Sequence, residues 1–479
     1  MNISGFEIYE KSLHKAQADG SAFEVCMAKG SQSGVLQGDD KDFLIVNGKN
    51  PGFSGEPLAD GKIKAPLNHE NAAVLRRIFP FTVPGRVLGK ERSFGLGDRL
   101  GIATAGHIPL FSQRDIYPVF AQQSIRELTL TGRKYEDVLD AASFAVFRED
   151  FQKTWGADGD HLKTAEDVAY ALDLGFTMIT LDCSDHIRGN VTAGNAPLLS
   201  EKHRAKYLGK QFDAGEGIVL QFSEQELKII AAIYGDAINF ASSLYNRFLK
   251  NGSYNADFEI SIDETSTPTT PLQHFFVAQE LTDAGVKFAT IAPRFCGEFQ
   301  KGIDYIGDLV QFENEIKAHA AIARHFGYKL SIHSGSDKFS VFPYISRECR
   351  GKFHVKTAGT NWLEAMRVIA EIAPPLYRSV HRYALTAFDE ARKYYHVTTD
   401  LAKIPDIDSL SDSRLPELFD NNDARQLIHI TYGLILGKKN CDGSYQFRGE
   451  LYRTWHENED VYAQALAHHI GRHLDLLGV

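Results

Sequence analysis

The sequence predicts an α/β protein built around a closed (β/α)8 barrel, with additional segments at both ends of the chain. Eight short apolar runs alternate with helical patterns between about residues 90 and 395, and such alternation favours a parallel sheet with right-handed crossovers. This length suits a decorated barrel. An open doubly wound sheet usually carries a glycine-rich phosphate loop, but the nearest match, GLGDRLG (95–101), has its third glycine one place too late.

The eight candidate strands are short runs rich in β-branched and aromatic residues, and most end in glycine or polar residues. The helical patterns have apolar residues at three- and four-residue spacing, as expected for helices packed on a sheet. The candidate strands are RSFGLG (92–97), YPVFAQ (117–122), TWGADG (154–159), FTMITLD (176–182), DFEISID (257–263), KFATIAP (287–293), KLSIHSG (329–335) and KFHVKTA (352–358). The helical patterns are PLQHFFVAQELTDAG (271–285), QFENEIKAHAAIARHFG (311–327) and NWLEAMRVIAEIAP (361–374).

These elements divide the chain into three parts. Residues 1–90 are punctuated by glycine and proline and are expected to form an irregular N-terminal extension. Residues 91–395 form the predicted barrel and catalytic domain. Residues 396–479 contain two further helical patterns and are predicted to form a helical extension packed on the barrel.

Composition narrows the classes of function. The 479 residues are 43% hydrophobic and 24% charged, as in a globular protein with a large core. A net charge of −10 argues against nucleic-acid and anionic-membrane partners, because both require a basic face. The five cysteines are scattered, with no C-x-x-C pair, as in a reducing compartment. With no apolar leader and no long apolar run, we expect a cytoplasmic protein, and the oligomeric state stays open.

The candidate strands end in ionisable residues, and a parallel barrel places its active site at the carboxyl ends of its strands. His161, His333 and His354 come from three different strands and have carboxylates beside them. Imidazole and carboxylate ligands suit Zn, Ni, Co, Mn or Fe(II), and an open coordination position would make the ion catalytic. The strand-end groups are Asp160-His161, Asp182 with Asp185 and His186, Asp263-Glu264, Arg294 with Glu298, His333 through Lys338, and His354 with Lys356.

Basic residues in the same positions indicate an acidic substrate. Arg294, Lys338 and Lys356 could hold a carboxylate or a phosphate, and Ser336 adds a hydroxyl for substrate binding. Several groups also have structural explanations. Arg294 could instead pair with Glu298, and the acidic residues after the fourth strand could cap a turn. Histidines in helical patterns, expected on packing or solvated faces, are His381, His429, His468 and His469.

Six segments together resemble the tagaturonate/fructuronate epimerase family over nearly the whole chain, in the same order and at compatible spacing. They are SFGLGDRLGIATAGH, GADGDHLKT, SIDETSTPTTPLQHFFVAQEL, APRFCGEFQKGIDYIGD, LSIHSGSDKFSVFPYI and FHVKTAGTNWLEA. The resemblance implies a bacterial, cytoplasmic isomerase of galacturonate catabolism. Such an enzyme uses a divalent metal to interconvert two keto-uronic acids that differ at one hydroxyl-bearing carbon.

The resemblance also implies roles for individual residues. Asp160 becomes an acid–base carboxylate next to the metal ligand His161, and Glu264 becomes the complementary acid–base group. His333 and His354 become the further metal ligands. Glu298 is either a ligand or a substrate contact.

The implied reaction restricts the mechanism, because the inverted carbon lies one position beyond the carbon alpha to the ketone. Enolisation acidifies only the alpha position, so oxidation, dehydration or retro-aldol cleavage remains. Oxidation is disfavoured because no dinucleotide fingerprint is present. Retro-aldol cleavage suits a metal with two carboxylates, Asp160 and Glu264, while direct proton transfer stays open.

Three other classes of function share part of this pattern of residues. A metal-dependent isomerase or aldolase acting on another sugar acid or sugar phosphate would use the same residues. A non-catalytic sugar-acid binding protein would not need carboxylates paired with histidines. An amidohydrolase would usually have an H-x-H pair on its first strand, where this chain has only His107.

Overall fold

Eight parallel strands close into a barrel in the computed structural model, which describes residues 2–3, 5–18, 20–30 and 42–479. The barrel strands follow chain order, and the last pairs with the first to close the ring. The (β/α)8 prediction is confirmed, and each of the eight predicted strands overlaps an observed one. In chain order the strands are β1 Asn2–Ile3, β2 Phe6–Glu7, β3 His14–Ala18, β4 Ser21–Ala28, β5 Phe43–Gly48, β6 Glu56–Pro57, β7 Ile63–Pro66, β8 Arg92–Leu96, β9 Tyr117–Ser124, β10 Gly156–Leu162, β11 Met178–Asp182, β12 Gln211–Asp213, β13 Val219–Gln221, β14 Asp257–Ile262, β15 Thr290–Pro293, β16 Lys329–Ile332 and β17 Phe353–Thr357.

The barrel consists of β8–β11 and β14–β17, and helices connect its strands. Helix boundaries follow capping chemistry that is visible in the sequence. Thr270 and Gln273 form a capping box at the start of the helix that begins with Pro271, and Gly327 ends another helix in the left-handed conformation (φ 81°). The helices are α1 His69–Ile78, α2 Thr104–Ser112, α3 Ile125–Thr131, α4 Tyr135–Arg148, α5 Ala165–Asp173, α6 Glu201–Tyr207, α7 Glu224–Leu244, α8 Pro271–Asp283, α9 Leu309–Phe326, α10 Phe342–Glu348, α11 Thr360–Ile372, α12 Pro374–Ala391, α13 Asn422–Gly437, α14 Arg448–Glu457 and α15 Glu459–Leu476.

The N-terminal region differs from the irregular extension expected from its glycines and prolines. Strands β3–β7 form a five-stranded antiparallel sheet in the order β3-β4-β5-β7-β6. Apolar residues of the sheet, among them Phe23, Val25 and Leu44, form a core with Phe144 and Phe147 of α4. Burial against a barrel helix therefore orders a region whose turn residues dominate the sequence pattern.

The C-terminal helices pack in two directions. Helices α11–α14 share a second core that includes Trp362 and Trp455. Helix α15 returns to the barrel, where Ile470 and Leu474 join the main core. The domain boundaries at residues 90 and 395 stay a prediction. Among the described residues, no helix has both the length and the apolar character needed to cross a membrane.

Candidate active site

A polar cavity of about 570 Å³ lies at the carboxyl ends of the barrel strands. Loops that follow six of the eight barrel strands contribute to its walls, which explains how residues far apart in the sequence meet there. Most of the predicted site residues line it. They are Asp160, His161, Glu264, Arg294, Glu298, His333, Ser336 and Lys356.

His161 stands at the end of β10 in a strained backbone conformation, with φ at 54°. Its Nδ1 lies 2.6 Å from a carboxylate oxygen of Asp160. A carboxylate bound to one ring nitrogen fixes the orientation of the imidazole and leaves the other nitrogen, Nε2, available as a ligand.

His333 follows β16 and is held in the same way. Its Nε2 lies 2.8 Å from the Glu259 carboxylate, deep in the barrel, and its Nδ1 lies 3.1 Å from Asp263. Asp263 itself accepts a hydrogen bond of 2.6 Å from the Ser261 hydroxyl. The rings of His161 and His333 are 4.9 Å apart between centroids.

His161, Asp263 and His333 each offer a ligand atom, and these atoms lie within 4.8 Å of one another. Two imidazoles and one carboxylate suit a first-row divalent cation, and three protein ligands beside a cavity leave coordination positions for substrate. Asp160 and Glu259 supply the carboxylates that commonly support metal-bound histidines. The residues therefore fit the predicted divalent metal, with Asp263 as the third ligand.

Lys356 is the centre of a second polar group on the barrel axis. Its ammonium donates to Asp158 (2.6 Å), Asp160 (2.5 Å) and the Thr180 hydroxyl (2.6 Å), and it lies 3.3 Å from Glu259. Burial opposes the charged form, but the three carboxylates raise the pKa of Lys356 above its usual value. The same burial, with the neighbouring carboxylates of Asp160 and Glu259, raises the pKa of Asp158 to about 7 despite Lys356.

Opposite charges around the candidate metal ligands (His161, Asp263 and His333) and Asp160 shift the pKa values of these groups away from their usual values. Burial raises the pKa of Asp160, but Lys356 and His161 outweigh it and hold the pKa well below its usual value. Burial acts in the same direction on Asp263, whose pKa is kept low by His333 and His161. Conversely, burial lowers the pKa of His333, yet Asp263 and Glu259 raise it to about 10. The carboxylates thus attract positive charge to the imidazoles, whether a proton or a metal ion supplies it.

Two of the predicted site residues do not line the cavity: the predicted metal ligand His354 and the predicted substrate contact Lys338. His354 is fully buried inside the barrel, where its Nδ1 lies 2.9 Å from the Ser93 hydroxyl. Burial lowers the pKa of His354 to about 3, so the imidazole is neutral. His354 is the second residue of β17, far from the carboxyl end of the strand. Side chains at this depth fill the packed interior of a barrel and do not reach its mouth.

Lys338 is also fully buried and does not line the cavity. Its ammonium donates to the carbonyl oxygens of Gln300 (2.7 Å), Ile303 (2.6 Å) and Ser336 (2.9 Å). These three bonds tie neighbouring loops together. The proposed substrate contact is therefore reassigned to loop anchoring.

The remaining predicted residues line the cavity with specific partners. Arg294 donates to the Thr265 carbonyl rather than pairing with Glu298. The nearest ionic partner of Glu298 is His396, at 3.9 Å, away from the ligand set. The Glu264 side chain is 40% exposed and lies 3.8 Å from Arg126. The Ser336 hydroxyl accepts from the backbone N–H of Ala358 at 3.2 Å.

Three carboxylates of the site have no role assigned from the sequence: Asp158 and Glu259, which are buried, and Asp263, which is half-buried. A periodic signal for them exists. In DFEISID, acidic or polar residues occupy every second position, and in GADGDHL, Asp158 and Asp160 are also two apart. Alternate residues of a barrel strand face the same side, so this pattern places charge inside the barrel.

This protein has a (β/α)8 barrel with a polar cavity at the carboxyl ends of its strands, which is the arrangement typical of TIM-barrel enzymes. Sequence comparison gives the particular family. The profile of the tagaturonate epimerase family matches residues 9–477, so the chain belongs to that family.

Individual relatives agree with this placement. The tagaturonate/fructuronate epimerase of Thermotoga maritima is 44% identical, and the match covers 99% of this chain and 97% of that protein. A glycerol complex of the fructuronate-tagaturonate epimerase UxaE from Cohnella laeviribosi superposes with a TM-score of 0.93 at 49% identity, over 99% of this chain and 97% of the other. The native crystal structure of that enzyme gives 0.92 at the same identity, over 99% and 96%.

Proposed function

We propose that this protein interconverts D-tagaturonate and D-fructuronate and requires a divalent cation bound by His161, Asp263 and His333. The substrate pair is supported by family membership and by relatives described as epimerases of these two sugars. One observation supports the cation most directly. Three ligand atoms lie within 4.8 Å of one another at the cavity, and each imidazole has a carboxylate behind it.

A divalent cation at this set would act as a Lewis acid on the substrate ketone and the neighbouring oxygen. The side chains of the protein would position the candidate ligands and transfer the proton. Glu259 and Asp160 orient the two imidazoles, and the buried Lys356 keeps Asp160 ionised and in place. Because these side chains are fixed before substrate arrives, little reorganisation is needed during the reaction.

Retro-aldol cleavage accounts for inversion at a carbon that enolisation cannot reach. The bond between the alpha carbon and the inverted carbon breaks, and its electron pair forms an enediolate. The hydroxyl on the inverted carbon loses its proton to a carboxylate and becomes an aldehyde. After this aldehyde turns, the bond re-forms on its other face and the proton returns to the new hydroxyl, so no oxidant is consumed.

Asp160 and Glu264 are the carboxylates proposed to exchange this proton. Both line the cavity, Asp160 at the end of β10 and Glu264 just after β14, with β11 between these strands. They therefore approach the substrate from different walls, as inversion requires. Because Lys356 and His161 outweigh burial and hold the pKa of Asp160 low, Asp160 stays ionised and would accept the proton only while the carbon–carbon bond breaks.

The decisive experiment is turnover of D-tagaturonate by the purified protein, followed by chromatography of D-fructuronate. We expect activity to fall after chelation and to return when Mn, Ni, Co or Zn is added singly. Chelation without effect would contradict the metal requirement, and no conversion with any metal would contradict the epimerase function. Accumulation of smaller fragments would instead indicate an aldolase.

Isotope labelling separates the two chemical routes. In deuterated water, retro-aldol cleavage leaves the hydrogen on the inverted carbon in place, because that hydrogen is carried through as the aldehyde hydrogen. We therefore expect no deuterium at this carbon in the product, measured by NMR. Deuterium there would support direct proton transfer and contradict cleavage.

A further inference from the structure

Five cations line the cavity, and most are already engaged. Lys356 contacts three carboxylates, Arg99 pairs with Glu127 at 2.8 Å, and Arg126 lies near Glu264. Lys301 differs, because within the described part of the chain its ammonium donates only to a hydroxyl, that of Ser334, at 3.1 Å. Within the described ranges, neither Lys301 nor Arg294 has a carboxylate within 4.0 Å.

The surroundings of Lys301 favour an anion. Burial lowers the pKa of Lys301 most, and Arg126 lowers it further. Glu127 raises it, Arg99 lowers it by less than Glu127 raises it, and Glu264 raises it least. Lys301 is half-buried, and its guanidinium neighbours Arg99 and Arg126 each already face one carboxylate. A further negative charge would therefore stabilise the ammonium of Lys301. The substrate of the proposed reaction carries one negative charge, on its carboxylate.

Two further hydrogen-bond donors in the cavity wall are buried and have no partner in the described part of the chain. Among the residues that the structure describes, Arg99 Nη2 and Gln300 Nε2 are buried and have no hydrogen-bond partner, and both residues line the cavity. Their side chains are 1% and 3% exposed. Unsatisfied buried donors are rare in native proteins, and a bound water, ion or ligand is one way in which they are satisfied.

The N-terminus of α11 completes this end of the cavity. Helix α11 begins at Thr360, directly after Gly359, which lines the cavity. His429, fully buried and without a hydrogen-bond partner for either ring nitrogen in the described chain, points at this terminus. A Cβ on Gly359 would lie 1.7 Å from His429 Nε2. The first N–H groups of a helix have no intrahelical acceptor and carry partial positive charge.

Hydrogen bonds to helix α13 hold these donors close together. Arg99 donates to the His429 carbonyl at 3.2 Å, and Gln426, one turn earlier on α13, donates to the Lys301 carbonyl at 3.2 Å and to the side-chain oxygen of Gln300 at 3.0 Å. Helix α13 thus holds Arg99, Gln300 and Lys301 beside the start of α11. The arrangement is a cradle of fixed donors rather than an isolated surface lysine.

We propose that Lys301, with Arg99 Nη2 and the N-terminus of α11, binds the carboxylate of the keto-uronate substrate. This inference rests on the proposed function and names the residues that make the enzyme selective for an acidic sugar. Lys301 replaces Lys338 and Lys356 in that role, because Lys338 serves backbone carbonyls and Lys356 serves the buried carboxylates. The Ser334 hydroxyl connects Lys301 to the residue next to His333, so the carboxylate subsite and the ligand set share one loop.

The test compares two substrates in the metal-loaded enzyme: D-tagaturonate, and D-tagatose, which has a hydroxymethyl group in place of the carboxylate. For Lys301→Met we expect kcat/KM on D-tagaturonate to fall about 10- to 100-fold, mostly through KM, because a charged hydrogen bond is lost. The value for D-tagatose should change less than about threefold, since no charge is bound there. Lys301→Arg should restore part of the loss, and bound metal should be unchanged.

Arg294→Met is the matched control, because Arg294 also lines the cavity without a carboxylate partner. Equal losses on both sugars in Lys301→Met, or a selective loss only in Arg294→Met, would overturn the inference. Calorimetric binding of the two sugars to wild type and variant decides the question if either turnover is too slow to measure. Wild-type protein that binds D-tagaturonate through Lys301 without converting it would contradict the proposed function and leave the subsite standing.

Discussion

Among the residues that the structure describes, two places bring the ligand atoms of two histidines and one aspartate within 4.8 Å of one another. One cluster opens onto the cavity, and the other lies between the loop after β16 and helix α15. The cavity cluster is His161, Asp263 and His333; the loop cluster is Asp337, His469 and His473.

The loop cluster is closed by its own contacts. The Asp337 carboxylate lies 3.0 Å from Arg425 and 2.5 Å from His469 Nε2. His473 Nε2 accepts the backbone N–H of Asp337 at 3.0 Å, while its Nδ1 donates to the His469 carbonyl at 2.8 Å. Burial, with His469 nearby, lowers the pKa of His473 to about 3, so it is neutral.

The difference shows that neighbours, not residue types, decide what such a cluster does. In the cavity cluster, the carboxylates of Asp160 and Glu259 stand behind the imidazoles and attract a cation. In the loop cluster, the Arg425 guanidinium already neutralises the aspartate and would repel a metal ion. We therefore assign the first cluster to chemistry and the second to fixing the loop that carries His333.

The largest expected effect follows from removing one of the proposed metal ligands. His161→Gln should lose bound metal and lower kcat by about 1,000-fold, since a Lewis acid supplies several kcal/mol of charge stabilisation. His473→Gln should keep its metal, because glutamine can still accept the Asp337 N–H. Metal analysis of both purified variants checks this, with the exposed His468→Gln as control. Metal loss in His473→Gln alone would reverse the two assignments.

Breaking the loop cluster should affect stability instead. Asp337→Asn leaves the buried Arg425 without its charge partner, whereas His469 keeps Glu364 at 3.2 Å. Breaking such a buried pair costs about 3–5 kcal/mol of unfolding free energy. Urea unfolding measures the loss, and the exposed Asp389→Asn should lie within about 0.5 kcal/mol of wild type. A stability equal to wild type would show that the cluster does not anchor the loop.

Removing a carboxylate that supports a proposed metal ligand, without removing the ligand itself, should have a smaller effect on metal binding. Glu259→Gln removes the carboxylate that orients His333, and loss of such a partner lowers metal affinity about 10- to 100-fold. Titration of the chelator-treated protein with metal gives the affinity. Glu280→Gln, a buried carboxylate that contacts Lys206 and Tyr207 outside the cavity, should leave it unchanged.

The smallest expected effect is a change in stability with pH that arises from two buried histidines, His274 and His319, whose rings contact each other directly. His274 and His319 are buried, their Nδ1 atoms 2.9 Å apart, and Tyr328 contacts His274 at 2.6 Å. Burial lowers the pKa of His319 to about 4 and that of His274 well below its usual value. These histidines stay neutral in the folded protein but bind protons near pH 6.5 when it unfolds.

The folded state should therefore lose stability as pH falls below 6.5, by about 2 kcal/mol between pH 7 and pH 5 for His319. The stabilisation is fully present above pH 6.5. Unfolding free energies of wild type and His319→Gln at both values isolate this contribution from other titrations, and His468→Gln serves as the exposed control. Identical pH slopes in wild type and His319→Gln would contradict the assignment.

The sequence was most informative where pattern and position coincide. The eight barrel strands and the helices α8, α9 and α11 were predicted, because apolar periodicity and capping residues are local signals. His161 and His333 were predicted at strand ends, and both line the cavity. The N-terminal sheet was missed because burial against α4, a distant element, orders it.

By itself, the sequence determined the barrel, its family resemblance and the chemical types of group at its mouth. Only the tertiary structure decided which of them face the cavity. His354 lies in the packed interior, Lys338 binds backbone carbonyls, and Asp263 lies beside His161 and His333, where it could complete a metal site. Strand periodicity fixes the side on which a residue lies but not its depth along the barrel axis. Depth and partners depend on the register of neighbouring strands and on loops from elsewhere in the chain, and these arise only when the barrel closes.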